Sequence, residues 1–207
     1  MTKTKQIEVV DYDPAWPVKF TGLQQVLQTH LKGLIADIQH VGSTSVPGLA
    51  AKPIIDIDLV IRSKSELQPV VEVLQVLGYR HEGEMGIPGR DAFSRPGVFI
   101  PDDGKGTVWP DHHLYCCPED SFSFQNHIRF RDFLRQHPQI IAEYSELKKR
   151  LANEYPFDID KYVELKTPFI TGILAQEGFS KSAITAITMQ NSISNNTANE
   201  DEPADKP

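Results

Sequence analysis

Two aspartates, Asp56 and Asp58, interrupt the apolar segment IIDIDLVI and are the residues of this sequence best suited to chemistry. Residues i and i+2 of a strand share one face and lie roughly 6.5–7 Å apart. The two carboxylates therefore point the same way, while Ile55, Ile57, Leu59 and Ile61 line the opposite, buried face. Oxygen ligands at this spacing suit Mg²⁺ or Mn²⁺, which bind one or two carboxylates together with substrate phosphates. The pattern indicates phosphoryl-type transfer.

The same pair also has a purely structural interpretation. Two like charges on a half-buried strand repel each other and resist desolvation. A lysine or arginine from the helical block would relieve both penalties as well as a metal ion would. The carboxylates alone leave both interpretations open.

A Gly-Ser turn precedes this strand in GSTSVPGLAAKP. The backbone N–H groups at Gly42 and the hydroxyls of Ser43 and Thr44 are suited to hold phosphate oxygens, and Lys52 would add a positive charge. The spacing excludes a Walker-type phosphate loop, which requires G-x4-G-K-[ST]. A simple tight turn is the alternative.

Arg90 ends the Gly/Pro-rich loop EMGIPGR. Its guanidinium could clamp a phosphate with two parallel hydrogen bonds. An ion pair with the neighbouring Asp91 is the simpler interpretation.

Hydrophobic periodicity and turn residues predict the elements that must position these groups. Helices are expected near residues 16–34, 65–77, 122–136, 139–154 and 160–177, and strands near 38–42, 54–61, 79–84, 92–100 and 113–117. This order predicts an α+β or mixed α/β fold, with a core in residues 1–120 and a helical block in 121–180 packed on it as one structural unit. Residues 190–207 are polar and Asn-rich, and a disordered tail is expected there.

Composition narrows the class of protein. The formal charge of −7 argues against a nucleic-acid partner, which would favour a basic surplus. No apolar run reaches the roughly 18 residues of a membrane span, and the start MTKTKQIEVV lacks the apolar centre of a signal peptide. The two cysteines are adjacent and offer no disulfide framework, so a cytoplasmic protein is expected.

A strand, Gly-Ser, a short linker and an h-D-h-D-h strand together resemble the nucleotidyltransferase superfamily, which has the polymerase beta-like fold. The block HVGSTSVPGLAAKPIIDI is more specific. With YDPAWPVKF upstream and GIPGR, HHL, FRDFLR and LKTPFI downstream, it resembles the GrpB family (UPF0157) of small bacterial proteins. The resemblance spans roughly residues 8–175, and a related domain is fused to dephospho-coenzyme A kinase in some bacteria.

The resemblance implies a nucleotidyltransferase-like mixed sheet flanked by helices. Gly42 and Ser43 would bind phosphates, while Asp56 and Asp58 would be the catalytic metal ligands. Related enzymes add a third carboxylate from a later strand. Here that strand is DHHLYCC, which offers His113 and Tyr115 instead, with Asp111 just before it.

His113 then has three possible roles: a substitute metal ligand, a proton-transfer group or a structural histidine. Lys166, within LKTPFI, is the basic residue expected to reach the triphosphate from the helical block. Trp109 and His112 either shape an acceptor pocket or pack against a loop.

Other basic residues are interpreted as surface groups. Arg131 and Arg135 lie one helical turn apart and are expected to form a solvated face. Lys148, Lys149 and Arg150 are expected to be a surface cluster.

The leading hypothesis is a nucleotidyltransferase-like enzyme that binds a nucleoside triphosphate with Mg²⁺ or Mn²⁺. It would move a nucleoside monophosphate to a small-molecule or protein acceptor. The alternative is a non-catalytic nucleotide-binding module, for example one that assists dephospho-coenzyme A kinase. The missing third acid favours the module, and the intact Asp56/Asp58 pair favours the enzyme.

Overall fold

The computed structural model describes residues 5–192. Its sheet contains β1 (Asp37–Val41), β2 (Ile55–Ile61), β3 (Arg80–Gly83), β4 (Asp91–Ser94) and β5 (His112–Pro118). The helices are α1 (Trp16–His30), α2 (Leu67–Val76), α3 (Phe122–Gln136), α4 (Pro138–Glu154), α5 (Ile159–Gln176) and α6 (Lys181–Gln190). Two short 3-10 helices cover Ser43–Ser45 and Lys64–Glu66. The predicted α+β fold with a C-terminal helical block is confirmed.

The sheet has five strands in the order β1-β2-β5-β4-β3. β2 and β5 run parallel, and the other neighbours are antiparallel. A parallel pair needs a long crossover, which α2, β3 and β4 supply here. The strand with the two aspartates thus lies between β1 and β5, so both neighbours can place side chains beside them.

One face of β2 forms the centre of the main core, as the alternation in the sequence predicts. Ile55, Ile57 and Leu59 are at most 1% exposed. They belong to the same buried cluster as Leu27 of α1 and Leu74 of α2. The opposite face of β2 is therefore left for the two aspartates.

The helical block lies against that opposite face and is tied to the Gly-Ser turn. Val46 and Leu49, in the loop after β1, belong to a second core with Phe133 and Leu134 of α3 and with other residues of the block. The loop is thus packed between the sheet and the helices, which fixes the backbone where the phosphate-binding turn is expected.

The solvated face expected for two arginines of α3 is wrong for Arg131, whereas Arg135 is exposed. Arg131 is 9% exposed and donates from Nη1 to Gln39 Oε1 at 2.7 Å and to the His40 carbonyl at 3.0 Å. Arg135 donates from Nη2 to the Ser45 carbonyl at 2.7 Å. Because arginine carries five donors, it can satisfy backbone carbonyls that would otherwise be buried without partners.

α6 was not predicted. Its sequence KSAITAITMQ is rich in β-branched residues, which are weak helix formers. The signal that could have identified it is Ser180, whose Oγ caps the helix by accepting from Ala183 N at 3.2 Å. The disordered tail expected for residues 190–207 lies outside the described residues, apart from residues 190–192.

Replacement of Ile57 by alanine tests the role of the buried face of β2. The lost contacts and the residual cavity should lower the free energy of unfolding by about 2–5 kcal/mol, measured by urea denaturation. Val76→Ala is the control, since Val76 is 84% exposed, and it should change stability little. Equal effects of the two substitutions would contradict the assignment of this face as the centre of the core.

Candidate functional site

A cavity of about 700 Å³ lies between the aspartate-bearing face of the sheet and the helical block. Ligand sites of proteins are typically clefts of about 300–1,000 Å³. The sheet and its loops contribute a polar part of the wall, which includes Gly42, Ser43, Lys52, Asp56, Arg90, His113 and Tyr115. The helices contribute His127, Arg131, Lys148, Lys166 and a set of apolar residues. Most of the predicted site residues therefore meet in one cavity.

Each aspartate of β2 is hydrogen-bonded to a histidine. His113 Nδ1 of β5 donates to Asp56 Oδ1 at 2.9 Å. His127 Nδ1 of α3 donates to Asp58 Oδ2 at 2.7 Å. These ion pairs replace the lysine or arginine partner of the structural interpretation, and only the one with His127 comes from the helical block.

The two pairs change the ionisation of their members. Burial raises the pKa of the Asp56 carboxyl, but the hydrogen bond and charge of His113 outweigh it, so this pKa lies below its ordinary value. Burial lowers the pKa of His127, but the charge and hydrogen bond of Asp58 outweigh it, so this pKa lies above its ordinary value. The first pair thus favours the ionised form of Asp56, and the second favours the protonated form of His127.

The carboxylates retain oxygens that suit a cation. Asp58 is completely buried, and its Oδ1 has no hydrogen-bond partner. A buried carboxylate oxygen without a partner is costly, and a bound ion or ligand atom would relieve that cost. Among residues 5–192, no group of three or more His, Cys, Asp and Glu side chains is arranged to hold a metal ion. Asp56 lines the cavity, whereas Asp58 does not. The donors that the chain could offer a cation are therefore these two carboxylates, and phosphate oxygens of a ligand would have to complete its shell.

Gly42 brings the Gly-Ser turn directly onto Asp56. A Cβ atom at Gly42 would lie 2.1 Å from Asp56 Oδ2, far inside a van der Waals contact. Its backbone has φ +66° and ψ −171°, a conformation that only glycine adopts readily. Glycine is required here on both grounds, and the turn is consequently within reach of any group that the carboxylate holds.

Lys148 is not the surface residue that the sequence suggested. It is 2% exposed, and its Nζ donates to Ser43 Oγ at 3.0 Å. The residue lies on the inner face of α4, where its neighbour Tyr144 also lines the cavity, with the ammonium 4.6 Å from the ring centroid. Ser43 and Lys148 thus meet from opposite walls of the cavity.

Three lysines line this cavity, and burial is the main cause that lowers the pKa of each. Burial, followed by the charge of Lys166, lowers the pKa of Lys148 to about 6. Burial, followed by the charge of Lys52, lowers the pKa of Lys166 to about 8. Burial also lowers the pKa of Lys52. A cavity that disfavours its own ammonium groups to this extent is electrostatically suited to an anion.

Arg90 lines the cavity from the loop between β3 and β4. Its guanidinium lies 4.4 Å from the centroid of the Tyr115 ring, and its Nε is buried without a partner. The expected pair with Asp91 is wrong, because Asp91 is ion-paired with His81 at 2.8 Å. Arg90 is therefore held by an aromatic face and keeps donors for a ligand.

Thr44 does not line the cavity. It is 1% exposed, and its hydroxyl donates to the Ile54 carbonyl at 3.1 Å and accepts from His40 Nε2 at 3.0 Å. These bonds tie the two ends of the loop together. Of the loop residues expected to bind phosphate, Gly42, Ser43 and Lys52 face the cavity.

The place of a third carboxylate is taken by other groups. In the register of β2 and β5, Asp56 lies opposite His113 and Asp58 opposite Tyr115. Asp111 is ion-paired with Arg95 instead.

Trp109 and His112 act in packing rather than in the cavity. Trp109 Nε1 donates to the Pro101 carbonyl at 2.8 Å. His112 accepts from the Tyr79 hydroxyl at 2.7 Å.

Sequence reasoning missed His127, Lys148 and the burial of Arg131. His127 and Arg131 are spaced i and i+4, so they share one face of α3. Charged residues on a helix are expected to face solvent. The sequence therefore did not reveal that this face of α3 lines a polar cavity. The available signal was the pair of acids on β2. Two carboxylates on a half-buried strand require basic groups beside them, and the helices can supply these.

The fold is nucleotidyltransferase-like. The Cid1 poly(U) polymerase, in a structure bound to MgATP, matches with a TM-score of 0.52 at 10% identity, over 76% of this chain and 50% of that chain. At this identity the likeness concerns the fold alone.

The chain belongs to the GrpB family, whose model matches residues 6–176. The structure of the conserved protein GrpB from Enterococcus faecalis matches with a TM-score of 0.69 at 32% identity, over 86% of this chain and 98% of that chain. The UPF0157 protein YqkA of Bacillus subtilis is 35% identical over 80% of this chain, which spans 46% of YqkA. A dephospho-CoA kinase of Mycolicibacterium paratuberculosis is 27% identical over 79% of this chain and 44% of that protein. The resemblance predicted from the sequence is confirmed.

Among the described residues, no helix is both long enough and apolar enough to span a membrane.

Substitution of Gly42 by alanine tests the contact between the turn and Asp56. The added methyl group must displace the turn or the carboxylate, so we expect a loss of roughly 2–4 kcal/mol in unfolding free energy. Gly33→Ala is the matched control, since Gly33 also has a positive φ (+82°) but has open space at its Cβ position. If both variants lost the same stability, only backbone conformation would matter at Gly42.

Lys148→Met tests the buried ammonium. The unfolded chain binds a proton at Lys148 up to its ordinary pKa of 10.5, whereas the folded chain releases it near pH 6. Between these values the unfolded state binds more protons, so wild-type stability relative to the variant should rise with pH, by at most about 1.4 kcal/mol per unit. Denaturation in urea at several pH values in this window measures the difference. Lys149→Met, at an exposed neighbour paired with Asp11, should show no such slope, and a flat difference for Lys148→Met would mean that Lys148 stays charged.

Proposed function

We propose that this chain binds a nucleoside triphosphate together with Mg²⁺ or Mn²⁺ and transfers a nucleoside monophosphate to a small-molecule or protein acceptor. The observation that carries the proposal is the meeting of two opposite charge sets in one cavity. Asp56 lines the sheet side of the cavity, and Asp58 is buried two residues further along the same strand. Lys52, Lys148 and Lys166 line the same cavity, and Lys148 donates to Ser43 of the Gly-Ser turn. A metal–triphosphate complex presents the complementary arrangement, with a cation and an extended anion.

The phosphate chain would be held by Gly42, Ser43, Lys52, Arg90, Lys148 and Lys166. Lys148 already donates to the Ser43 hydroxyl, so both groups can turn toward one phosphate oxygen. An anion between the lysines favours their protonated forms, and it offsets the burial and the charge of neighbouring lysines that lower the pKa values of Lys148 and Lys166. Thr44 has no direct part, because its hydroxyl is engaged within the loop.

The metal would be held by Asp56 and Asp58. When bound, such an ion neutralises charge on the transferred phosphoryl group and on the leaving oxygen. His113 and His127 hold the two carboxylates in place by hydrogen bonds to one oxygen of each, which leaves Asp56 Oδ2 and Asp58 Oδ1 as donors. We do not assign His113 to the metal, because its Nδ1 is already bound to Asp56.

The reaction would form a bond between an acceptor oxygen and the α-phosphorus, while the bond from that phosphorus to the bridging oxygen breaks and pyrophosphate leaves. In its neutral form His113 donates from Nδ1 to Asp56, so its Nε2 can accept the acceptor's proton. The His113 side chain is 47% exposed, so an acceptor can approach it. The aspartates remain ligands and do not become nucleophiles.

The acceptor is proposed to be a small molecule or a protein because the chain carries a formal charge of −7. A polynucleotide of the same sign would be repelled over the surface as a whole. The cytoplasmic location expected from the cysteine content remains a prediction.

A non-catalytic nucleotide-binding module is the second candidate. It is favoured by the ion pairs of both aspartates with histidines, and by the position of Tyr115 where a third carboxylate would lie. Because the chain is similar to part of a dephospho-CoA kinase, we propose for this candidate a module that assists such an enzyme. The two candidates agree on nucleotide binding and differ in whether pyrophosphate is released.

Calorimetric titration of ATP, GTP, CTP and UTP with Mg²⁺ or Mn²⁺ tests the proposal. We expect binding that requires the metal and is lost in Asp56→Asn/Asp58→Asn, with Asp120→Asn as a control that removes an exposed acid. Binding near pH 7.5 should take up protons, because the phosphates raise the pKa values of Lys148 and Lys166; titrations in buffers of different ionisation enthalpy measure this uptake.

Pyrophosphate release in the presence of candidate acceptors then separates the enzyme from the module. Absence of nucleotide binding at millimolar concentration, or equal binding by the double variant, would overturn the proposal. Metal-dependent binding without release for any acceptor would support the module.

A further inference from the structure

α6 forms the apolar end of the cavity. The residues that line the wall there come from α6 and the turn before it, and they include Ser180, Ser182, Ala183, Ala186, Ile187 and Gln190. Ala183, Ile187 and Gln190 are spaced i, i+4 and i+7, so they form one stripe along the helix. Ala183 and Ile187 are buried, at 5% and 8% exposure. The stripe presents the apolar side chains of Ala183 and Ile187, followed by the carboxamide of Gln190.

A single face of α5 connects this wall to the cationic part of the cavity. Tyr162, Lys166 and Ile170 follow one another at intervals of four residues, and all three line the cavity. Lys166 lies with its ammonium 5.1 Å from the Tyr162 ring centroid. A ligand whose anionic group reaches Lys166 therefore has apolar surface on both sides of that point.

The turn that leads into α6 is anchored to α3. Arg129 Nη1 donates to the Glu177 carbonyl at 3.0 Å, and its guanidinium lies 5.5 Å from the Phe179 ring centroid. Phe179 also makes an edge contact with Phe122 at 5.9 Å. With the cap from Ser180, these contacts fix where α6 begins, so its inner stripe is a preformed wall.

We infer that α6 and the Tyr162–Ile170 face of α5 form the binding site of the nucleobase, and that the inner stripe of α6 determines which base is accepted. This inference rests on the proposed function and deepens it. A nucleotide joins an anionic chain to a flat heterocycle, which matches a cavity with lysines at one part and small apolar groups at the other. The carboxamide of Gln190 carries both donors and an acceptor, as recognition of a base edge requires.

The family model ends at residue 176, before α6 begins at Lys181. The residues inferred to select the base therefore lie outside the matched region, whereas Gly42, Asp56 and Lys166 lie within it. Base selection would then be a property of this chain's own C-terminal segment, added to a phosphate site of the shared region.

Ala186→Leu tests the inference, with Mg²⁺–nucleoside triphosphates and Mg²⁺–tripolyphosphate as the two probes. Ala186 lines the cavity but is otherwise solvent-exposed, so a larger side chain should leave the fold intact. We expect the affinity for the best nucleotide to fall at least about fivefold, because the leucine fills the space of the base, with tripolyphosphate affinity unchanged. Thr185→Leu, next to it on an exposed position, should change neither affinity. Gln190→Leu should change the order of preference among the four nucleotides.

The outcomes separate this inference from the function on which it rests. If wild type binds nucleotides and tripolyphosphate equally well, or if Ala186→Leu leaves nucleotide affinity unchanged, the base site is overturned and the phosphate site stands. If Ala186→Leu weakens both probes equally, α6 acts on the phosphate site and the inference is again overturned. If wild type binds neither probe, the proposed function fails, and the inference fails with it.

Discussion

Asp58 is completely buried between the sheet and the helical block, and a buried carboxylate is tolerated only where a partner compensates its charge. His127 is that partner, and because it comes from α3 it joins the two halves of the molecule at one hydrogen bond. The cavity opens beside this bond. The compensation of this acid of β2 acts together with the hydrogen bonds of Arg131, Arg135 and Lys148 to hold the helices over the cavity.

In the cavity, neither the acidic nor the basic side chains have their charges fully compensated by other groups of the chain. The acids have histidines on one oxygen each, and Asp58 Oδ1 has no partner. The lysines repel one another, and burial lowers their pKa values. Both deficits are of the kind that a ligand with a cation and an anion would remove together. These uncompensated charges lower the stability of the fold, as is common at binding sites.

The sequence was sufficient for the sheet side of the site. Period-two alternation identified the buried isoleucines and placed both aspartates on the opposite face, and Gly42 marked a turn that admits no side chain. The helical side could not be predicted in the same way. Lys148 and Arg131 are charged residues on amphipathic helices, where the usual expectation is solvent. Their burial depends on a carboxamide, a backbone carbonyl and a hydroxyl that lie 91 to 105 positions away, which no local pattern records. α6 was hidden because its β-branched residues are weak helix formers.

The hydrogen bond between Asp58 and His127 spans 69 residues, and that between Ser43 and Lys148 spans 105. Contacts so distant along the chain close large loops, and loop closure slows folding. The two walls of the cavity therefore belong to segments that leave the ribosome at different times. Until the helices have emerged, Asp58 lies on an open sheet face with water as its partner. The cavity is consequently completed late in synthesis, when the segment from α3 onward covers this face of the sheet.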